Sequence, residues 1–291
     1  MILVDMNQIT IGAIMAESKG KPSLNEDLIR HMVINNLRML RSKFFNQYGE
    51  LVVCYDYPHS WRKNVYSHYK ASRKRDRKNS DFDWSALFRL LNEIRQELAD
   101  NFPYKVISVE NCEADDVIAA LAIEHSKSQP VLIVSSDGDF QQLQKYPNIN
   151  QYSPLMKKLM KCDDPAVYLF EHVVRGDASD GVPNILSPDD VFVRETGRQS
   201  PISKKKYDAW LELWQNSGTT NRDIRCITSD STIIANINRN STLIDFDNIP
   251  TNIRENIVKT YNQVQTNGRD KIMNYFMSKG MRNLIQHVSE F

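Results

Sequence analysis

The stretch Ile133-Val134-Ser135-Ser136-Asp137-Gly138-Asp139-Phe140 closes an apolar run that Pro130 opens. Residues 131–134 are apolar, mostly β-branched, and bounded by Pro and Gly, so they read as a short buried strand. Two carboxylates, Asp137 and Asp139, follow the strand with Gly138 between them. At a strand's carboxyl end such a pair suits a hard divalent cation, which prefers carboxylate and water oxygens. A plainer reading competes: an Asp-Gly turn capping a helix over Phe140 to Gln144. Taken alone the motif favours that plainer reading, and the rest of the chain changes the balance.

The same ending recurs. Met1-Ile2-Leu3-Val4 is an apolar strand that stops at Asp5, and Leu51 to Tyr55 is another that stops at Asp56. A strand over Tyr104 to Val109 precedes Glu113, Asp115 and Asp116, which open a helix carrying Val117, Ile118 and Leu121. Acids in a first helical turn act as caps, but three in four residues exceed what a cap needs. A further pair, Asp177 and Asp180, sits in a loop bounded by Gly176 and Gly181. Between the strands lie helical patterns: Leu24 to Leu40 after an N-cap at Ser23, Trp84 to Leu98, and Val167 to Val174. The passage from Asn7 to Pro22 reads as turn-rich, Ile149 to Tyr152 as a short strand, and Lys157 to Lys161 as weakly amphipathic. Alternating strands and helices predict an α/β fold with a central, mostly parallel sheet flanked by helices. Sites in such sheets form outside the carboxyl ends of the strands, where Asp5, Asp56 and Asp137 would meet. Beyond Pro183 the strand signals fade, and helices are expected near 203–216, 222–238, 251–264 and 269–290, a helical C-terminal lobe.

Charge is unevenly placed. The 291 residues carry a net charge of +1, with 41% hydrophobic and 25% charged residues, as in an ordinary soluble globular protein. Yet from Trp61 to Asn79 the basic residues Arg62, Lys63, Lys70, Arg73, Lys74, Arg75, Arg77 and Lys78 are opposed only by Asp76. Trp61, Tyr66 and Tyr69 are interleaved, which favours a phosphate cradle with aromatics for base stacking over a solvated loop. Four scattered cysteines without a C-x-x-C suggest no zinc site or redox pair and, with no signal peptide, fit a cytoplasmic location. No apolar run is long enough to span a bilayer. Nine clustered acids would raise one another's pKa values, and two Mg²⁺ ions are the natural counter-charge for in-line displacement at phosphorus. The basic run supplies what an anionic site needs to accept a phosphodiester.

In this order and spacing, Ile2-Leu3-Val4-Asp5, Val53-Cys54-Tyr55-Asp56, Tyr69-Lys70-Ala71-Ser72-Arg73, Glu113-Ala114-Asp115-Asp116, Ser136-Asp137-Gly138-Asp139 and Gly176-Asp177-Ala178-Ser179-Asp180 resemble the 5′-nuclease family of flap endonucleases and 5′–3′ exonucleases. The likeness is nearest to the phage RNase H branch of the T-even type and runs end to end. It implies a PIN-like catalytic domain over 1–182 with a basic arch over 58–80, and a helical domain over 183–291. It implies that Asp5, Asp56, Glu113, Asp115, Asp116 and Asp137 surround one metal, and that Asp137, Asp139, Asp177 and Asp180 surround a second. It places Lys70 and Arg73 at the scissile phosphate and Arg62 near the arch entrance. Tyr69, Lys63, Lys74, Arg75, Arg77 and Lys78 complete the implied nucleic-acid contacts. Mn²⁺ could substitute for Mg²⁺.

The sequence departs from the family at Gly181, where Asn is usual, and residues 183–197 lack the Gly-x-Gly of a helix-hairpin-helix, so K⁺ binding is not expected. The implied activity is Mg²⁺-dependent 5′–3′ cleavage of RNA:DNA hybrids, 5′ flaps and duplex DNA 5′ ends, for primer removal in phage replication. The implied protein partners are a single-stranded-DNA-binding protein or sliding clamp, with the nuclease itself a monomer. A PIN-like single-strand ribonuclease and a non-catalytic DNA-binding accessory protein are the alternatives.

Overall fold

The computed structural model describes residues 1–18, 25–78, 82–194, 196–218 and 223–291, with the side chains of 16–18, 74–76 and 78 outside the description. In chain order the strands are β1 (Ile2–Asp5), β2 (Leu51–Cys54), β3 (Lys105–Ile107), β4 (Val131–Val134), β5 (Ile149–Ser153) and β6 (Lys158–Met160). The helices are α1 (Met6–Ser18), α2 (Glu26–Tyr48), α3 (Arg62–Val65), α4 (Ala71–Lys78), α5 (Trp84–Asn101), α6 (Ala114–His125), α7 (Pro165–Arg175), α8 (Lys204–Asn216), α9 (Ser231–Ile244), α10 (Thr251–Gln263), α11 (Asp270–Ser278) and α12 (Arg282–Ile285).

The chain packs as two compact units that are not consecutive in sequence. The first comprises Met1–His59, Asp81–Lys161 and Pro250–Phe291; the second comprises Ser60–Ser80 and Cys162–Ile249. The linear division at 182/183 therefore follows the order of the sequence and not the packing.

The first unit is built on one sheet of order β3-β2-β1-β4-β5-β6. Strands β1 to β5 pair in parallel, and β6 runs antiparallel to β5 at the edge. Every residue of β1, β2 and β4 is buried, as expected for parallel strands covered on both faces. Ile29, Val33, Ile34, Leu37 and Leu40 form the buried stripe of α2 and join the cluster that holds β1 and β2. Each such side chain contributes roughly 1.5–3 kcal/mol by leaving water. Ile272, Phe276, Leu284 and Phe291 enter that same cluster, so the helices beyond residue 250 belong to the sheet.

Several local expectations change here. Residues 6–18 form α1 and not a turn-rich passage, because Met6, Ile9, Ala13 and Ile14 recur at helical spacing and are buried. Ser23 lies outside the described residues; the cap of α2 is Asn25, whose Oδ1 accepts the Leu28 N–H at 3.1 Å. The helix expected over 140–144 is a 3₁₀ helix, Gly138–Lys145, and the segment near Lys157 is β6.

The second unit gathers α7, α8 and α9 around Phe170, Val173, Trp210, Trp214 and Ile237. A smaller cluster joins Tyr66 and Tyr69 to Val182, Leu243 and Ile244, so the foot of the basic stretch packs against the end of α9. Among the described residues no helix is long and apolar enough to cross a membrane.

Candidate metal centre

The connections after β1 and β2 build the sheet toward β3, whereas β4 returns to the other side of β1. That reversal is a topological switch point, and the crevice outside the strand ends there is where open α/β sheets bind ligands. Asp5 ends β1, facing Cys54 in the parallel register, and Val4 faces Val134. Asp56 and Asp137 follow β2 and β4 within a few residues, so all three acids sit at one sheet edge.

Asp5 is buried, and its carboxyl is pushed up to about 6. Loss of solvent is the main cause, and the negative charges of Asp56 and Asp137 add to it. The Gln8 N–H at 3.1 Å and the Ser135 hydroxyl at 3.2 Å work in the opposite direction. Cys54, buried beneath this edge, has its thiol raised by burial and then by Asp5 and Asp115, so Asp115 shares the same field. Asp56 Oδ1 accepts the Ala114 N–H at 2.8 Å, fastening the start of α6 to the end of β2. Asp116, 0% exposed, accepts the Glu113 N–H at 2.9 Å and closes the capping box of α6.

Hydrogen bonds fix the approach to Asp137. Ser135 Oγ accepts the Asp137 N–H at 3.1 Å, and Gln8 Oε1 accepts the Ser136 N–H at 2.5 Å. The buried Gln151 amide donates to the Ser135 and Asp137 carbonyls at 3.0 and 2.6 Å. Asp137 Oδ1 accepts the Asp139 N–H at 3.0 Å, so the expected turn-capping role is present alongside the shared field. An all-oxygen set at this edge, anionic and partly desolvated, fits a hard divalent cation. Ser135, Gln8 and Gln151 did not stand out in the sequence; the polar pair Ser135-Ser136 directly before Asp137 was the available signal.

The second unit holds the remaining acids. Asp177 Oδ1 accepts the Ser179 N–H and hydroxyl, each at 2.8 Å, and its Oδ2 lies 3.8 Å from His172 Nε2. His172, one turn before Gly176, carried no sequence signal of its own. Gly176 and Gly181 hold φ of +69° and +72°, and a Cβ on Gly176 would stand 2.4 Å from the Val182 carbonyl oxygen. Asp180 faces the foot of the basic stretch: Oδ1 accepts Arg73 Nη2 at 2.8 Å, and Oδ2 accepts the Tyr69 hydroxyl at 2.6 Å with Lys70 Nζ at 3.4 Å. Tyr66 donates its hydroxyl to the Gly181 carbonyl at 3.3 Å.

The basic stretch is less open than its composition predicts. Trp61, Tyr66 and Tyr69 are buried, so they are packing residues here and not free faces for base stacking. Arg62 is 3% exposed, and its Nε donates to the Leu243 carbonyl at 2.8 Å. Buried guanidinium needs such an acceptor, and the end of α9 supplies one. Lys63, Arg73 and Arg77 are exposed; the side chains of Lys74, Arg75 and Lys78 lie outside the described residues.

Comparison with known proteins agrees with this architecture. The family model described as the 5′–3′ exonuclease, N-terminal resolvase-like domain matches residues 1–169, and the one described as T4 RNase H, C terminal, matches residues 164–291. Ribonuclease H of Enterobacteria phage T4 is 32% identical over 297 aligned residues, spanning 99% of this chain and 95% of that protein. Flap endonuclease Xni of Shewanella piezotolerans is 34% identical over 136 residues, 43% of this chain and 49% of its own length. Among solved structures, the T5 D15 protein co-crystallised with metal ions superposes with a TM-score of 0.63 at 15% identity, covering 90% of this chain and 98% of that one. A complex of the bacteriophage T5 D15 flap endonuclease with DNA and metal ions gives 0.64 at 16% identity, covering 90% and 99%. The T5 structures, at that identity, speak to the fold: a resolvase-like nuclease domain with a mostly parallel sheet. The chain belongs to the 5′–3′ exonuclease family, in the group that carries the T4 RNase H type of C-terminal region, and is a hydrolytic nuclease.

Proposed function

We propose that this nuclease depends on divalent metal and cleaves phosphodiesters at 5′ ends, with RNA:DNA hybrids, 5′ flaps and duplex DNA 5′ ends as substrates. Primer removal during phage DNA replication is the role that fits those substrates. One observation carries the reading: burial holds the Asp5 carboxyl near 6 with the charges of Asp56 and Asp137 adding to it, and Asp5 and Asp115 both act on the Cys54 thiol beneath the same strand ends. Relatives crystallised with metal ions, and one with DNA as well, lend support. Two Mg²⁺ ions are the cofactors we assign to the acids.

When bound, divalent cations would supply an activated water and charge neutralisation at the leaving oxygen. The chain's own residues do the rest. Asp5, Asp56 and Asp137 would hold the cation; Gln8 and Ser135 donate to the Asp5 carboxylate, Ala114 to that of Asp56 and the Asp139 N–H to that of Asp137. Asp115 adds negative potential, while Glu113 and Asp116 hold the start of α6 in place. Lys70 and Arg73 bind the scissile phosphate, and exposed Lys63 and Arg77, with Lys74, Arg75 and Lys78, track the strand electrostatically. The Asp137→Asn variant, assayed on flap and hybrid substrates with Mg²⁺, should lose about 100-fold or more in turnover. Undiminished turnover would overturn the metal-centre reading.

A further inference from the structure

We propose that, in the metal-free chain, Asp180 is a positioning residue that holds the place of the substrate phosphate, pairing with Lys70 and Arg73 until the phosphate displaces it. The inference rests on the reading that these two cations bind the phosphate. Both oxygens of Asp180 are engaged by the foot of the basic stretch, as a phosphate's would be: Arg73 on one, Tyr69 and Lys70 on the other, at 2.8, 2.6 and 3.4 Å. The backbone joins in, since the Asp180 carbonyl accepts the Lys70 N–H at 2.8 Å and the Ser179 carbonyl accepts Arg73 Nε at 3.4 Å. Lys70 is held there in the left-handed region, with φ of +54°, which costs a non-glycine residue energy and persists only where surroundings enforce it. The carboxylate is 16% exposed and Lys70 14%, while Arg73 remains 43% exposed. Arg73 is thus the side chain an incoming phosphate meets first, and Lys70 the one it reaches by displacing Asp180.

This arrangement has a distinctive salt signature. Cations that bind a phosphate from free solution release their condensed counter-ions, and each steepens the salt dependence of affinity by about 0.9. Cations already neutralised by Asp180 have fewer ions to release.

The test is fluorescence anisotropy of the full chain with a 5′-tailed oligonucleotide, in EDTA, across a salt series. Asp180→Asn should bind about three- to tenfold tighter at low salt than wild type, with a salt slope steeper by about one. Lys70→Gln should flatten the slope by about one in the Asp180→Asn background and by clearly less in wild type. Equal or weaker binding by a folded Asp180→Asn, with an unchanged slope, would overturn the exchange. Should Asp180→Asn fail to fold, the wild-type background decides: a full unit lost with Lys70→Gln rejects the proposal, and a much smaller loss supports it. Absence of oligonucleotide binding and of Mg²⁺-dependent cleavage by wild type would instead reject the nuclease reading itself.

Discussion

Asp5 and Asp180 are the same residue in opposite electrostatic conditions. Asp5 lies at the end of a buried strand, short of solvent and within the fields of two like charges, with only Gln8 and Ser135 to offset them. Asp180 has a hydroxyl and two cations on its carboxylate. The first is a charge awaiting a counter-ion; the second is a charge already answered by the chain. Sequence spacing alone treats both as members of one acidic set. The structure separates them by what their neighbours supply, and the same distinction governs what each substitution should do.

The largest contrast is at Asp5. With Mg²⁺ present, Asp5→Asn should lower turnover about 100-fold or more. In EDTA at pH 8 the same variant should be more stable than wild type by about 2–3 kcal/mol. The sign follows from the carboxyl held near 6 in the native chain, above its ordinary range. The native state binds this proton more tightly than the unfolded state. Wild-type stability without metal therefore falls as pH rises from the usual aspartate range to about 6, and is flat above it. Thermal melts across that window, with and without chelator, check this; an Asp5→Asn variant that is less stable in EDTA at every pH would erase the contrast.

A medium effect is expected on the other side of the comparison. Asn240 is fully buried, and its amide donates to the Val173 and Pro183 carbonyls at 2.7 and 2.9 Å, bracketing the loop that presents Asp177 and Asp180. Asn240→Ala removes the side-chain donor to the Val173 carbonyl and leaves the Pro183 carbonyl with Arg239 Nη2 at 2.9 Å, and should cost about 1–3 kcal/mol. Hydrogen exchange should place the loosened amides in residues 173–183. Protection lost evenly over the sheet instead would show that the loop is not held from this point.

The smallest effect belongs to Arg73. Its exposed pair with Asp180 should be worth under about 1 kcal/mol of stability, so Arg73→Gln should melt nearly as wild type does. A drop of several degrees would mean that the pair is structural, narrowing the difference between the two acids.

The strands β1, β2 and β4 were legible because they are short, largely β-branched and closed or followed within a few residues by aspartate, a combination that β3, β5 and β6 lack. Asp5, Asp56 and Asp137 were legible for the same reason, since a parallel sheet carries strand ends to one edge. Helix α1 was missed because Gly12 and the polar residues around it masked the Met6, Ile9, Ala13 spacing. Arg62 and Tyr69 were read as exposed because they stand in a charged run. Their burial depends on Leu243, Ile244 and Asp180, more than 100 positions away, and local pattern carries no trace of such partners. The same holds for the helices beyond residue 250, whose amphipathic faces announce burial without naming the surface that buries them.

The interleaving of the two units has a consequence for biosynthesis. A ribosome delivers β1 long before Ile272, Phe276 and Phe291, yet all belong to one apolar cluster. The nascent sheet must wait, partly uncovered, while the 266 residues between Asp5 and Ile272 emerge, a state prone to chaperone capture and premature association. A nick within residues 162–249 would then separate two stretches that the mature sheet requires together, so vulnerability to proteases should be greatest while translation is still under way.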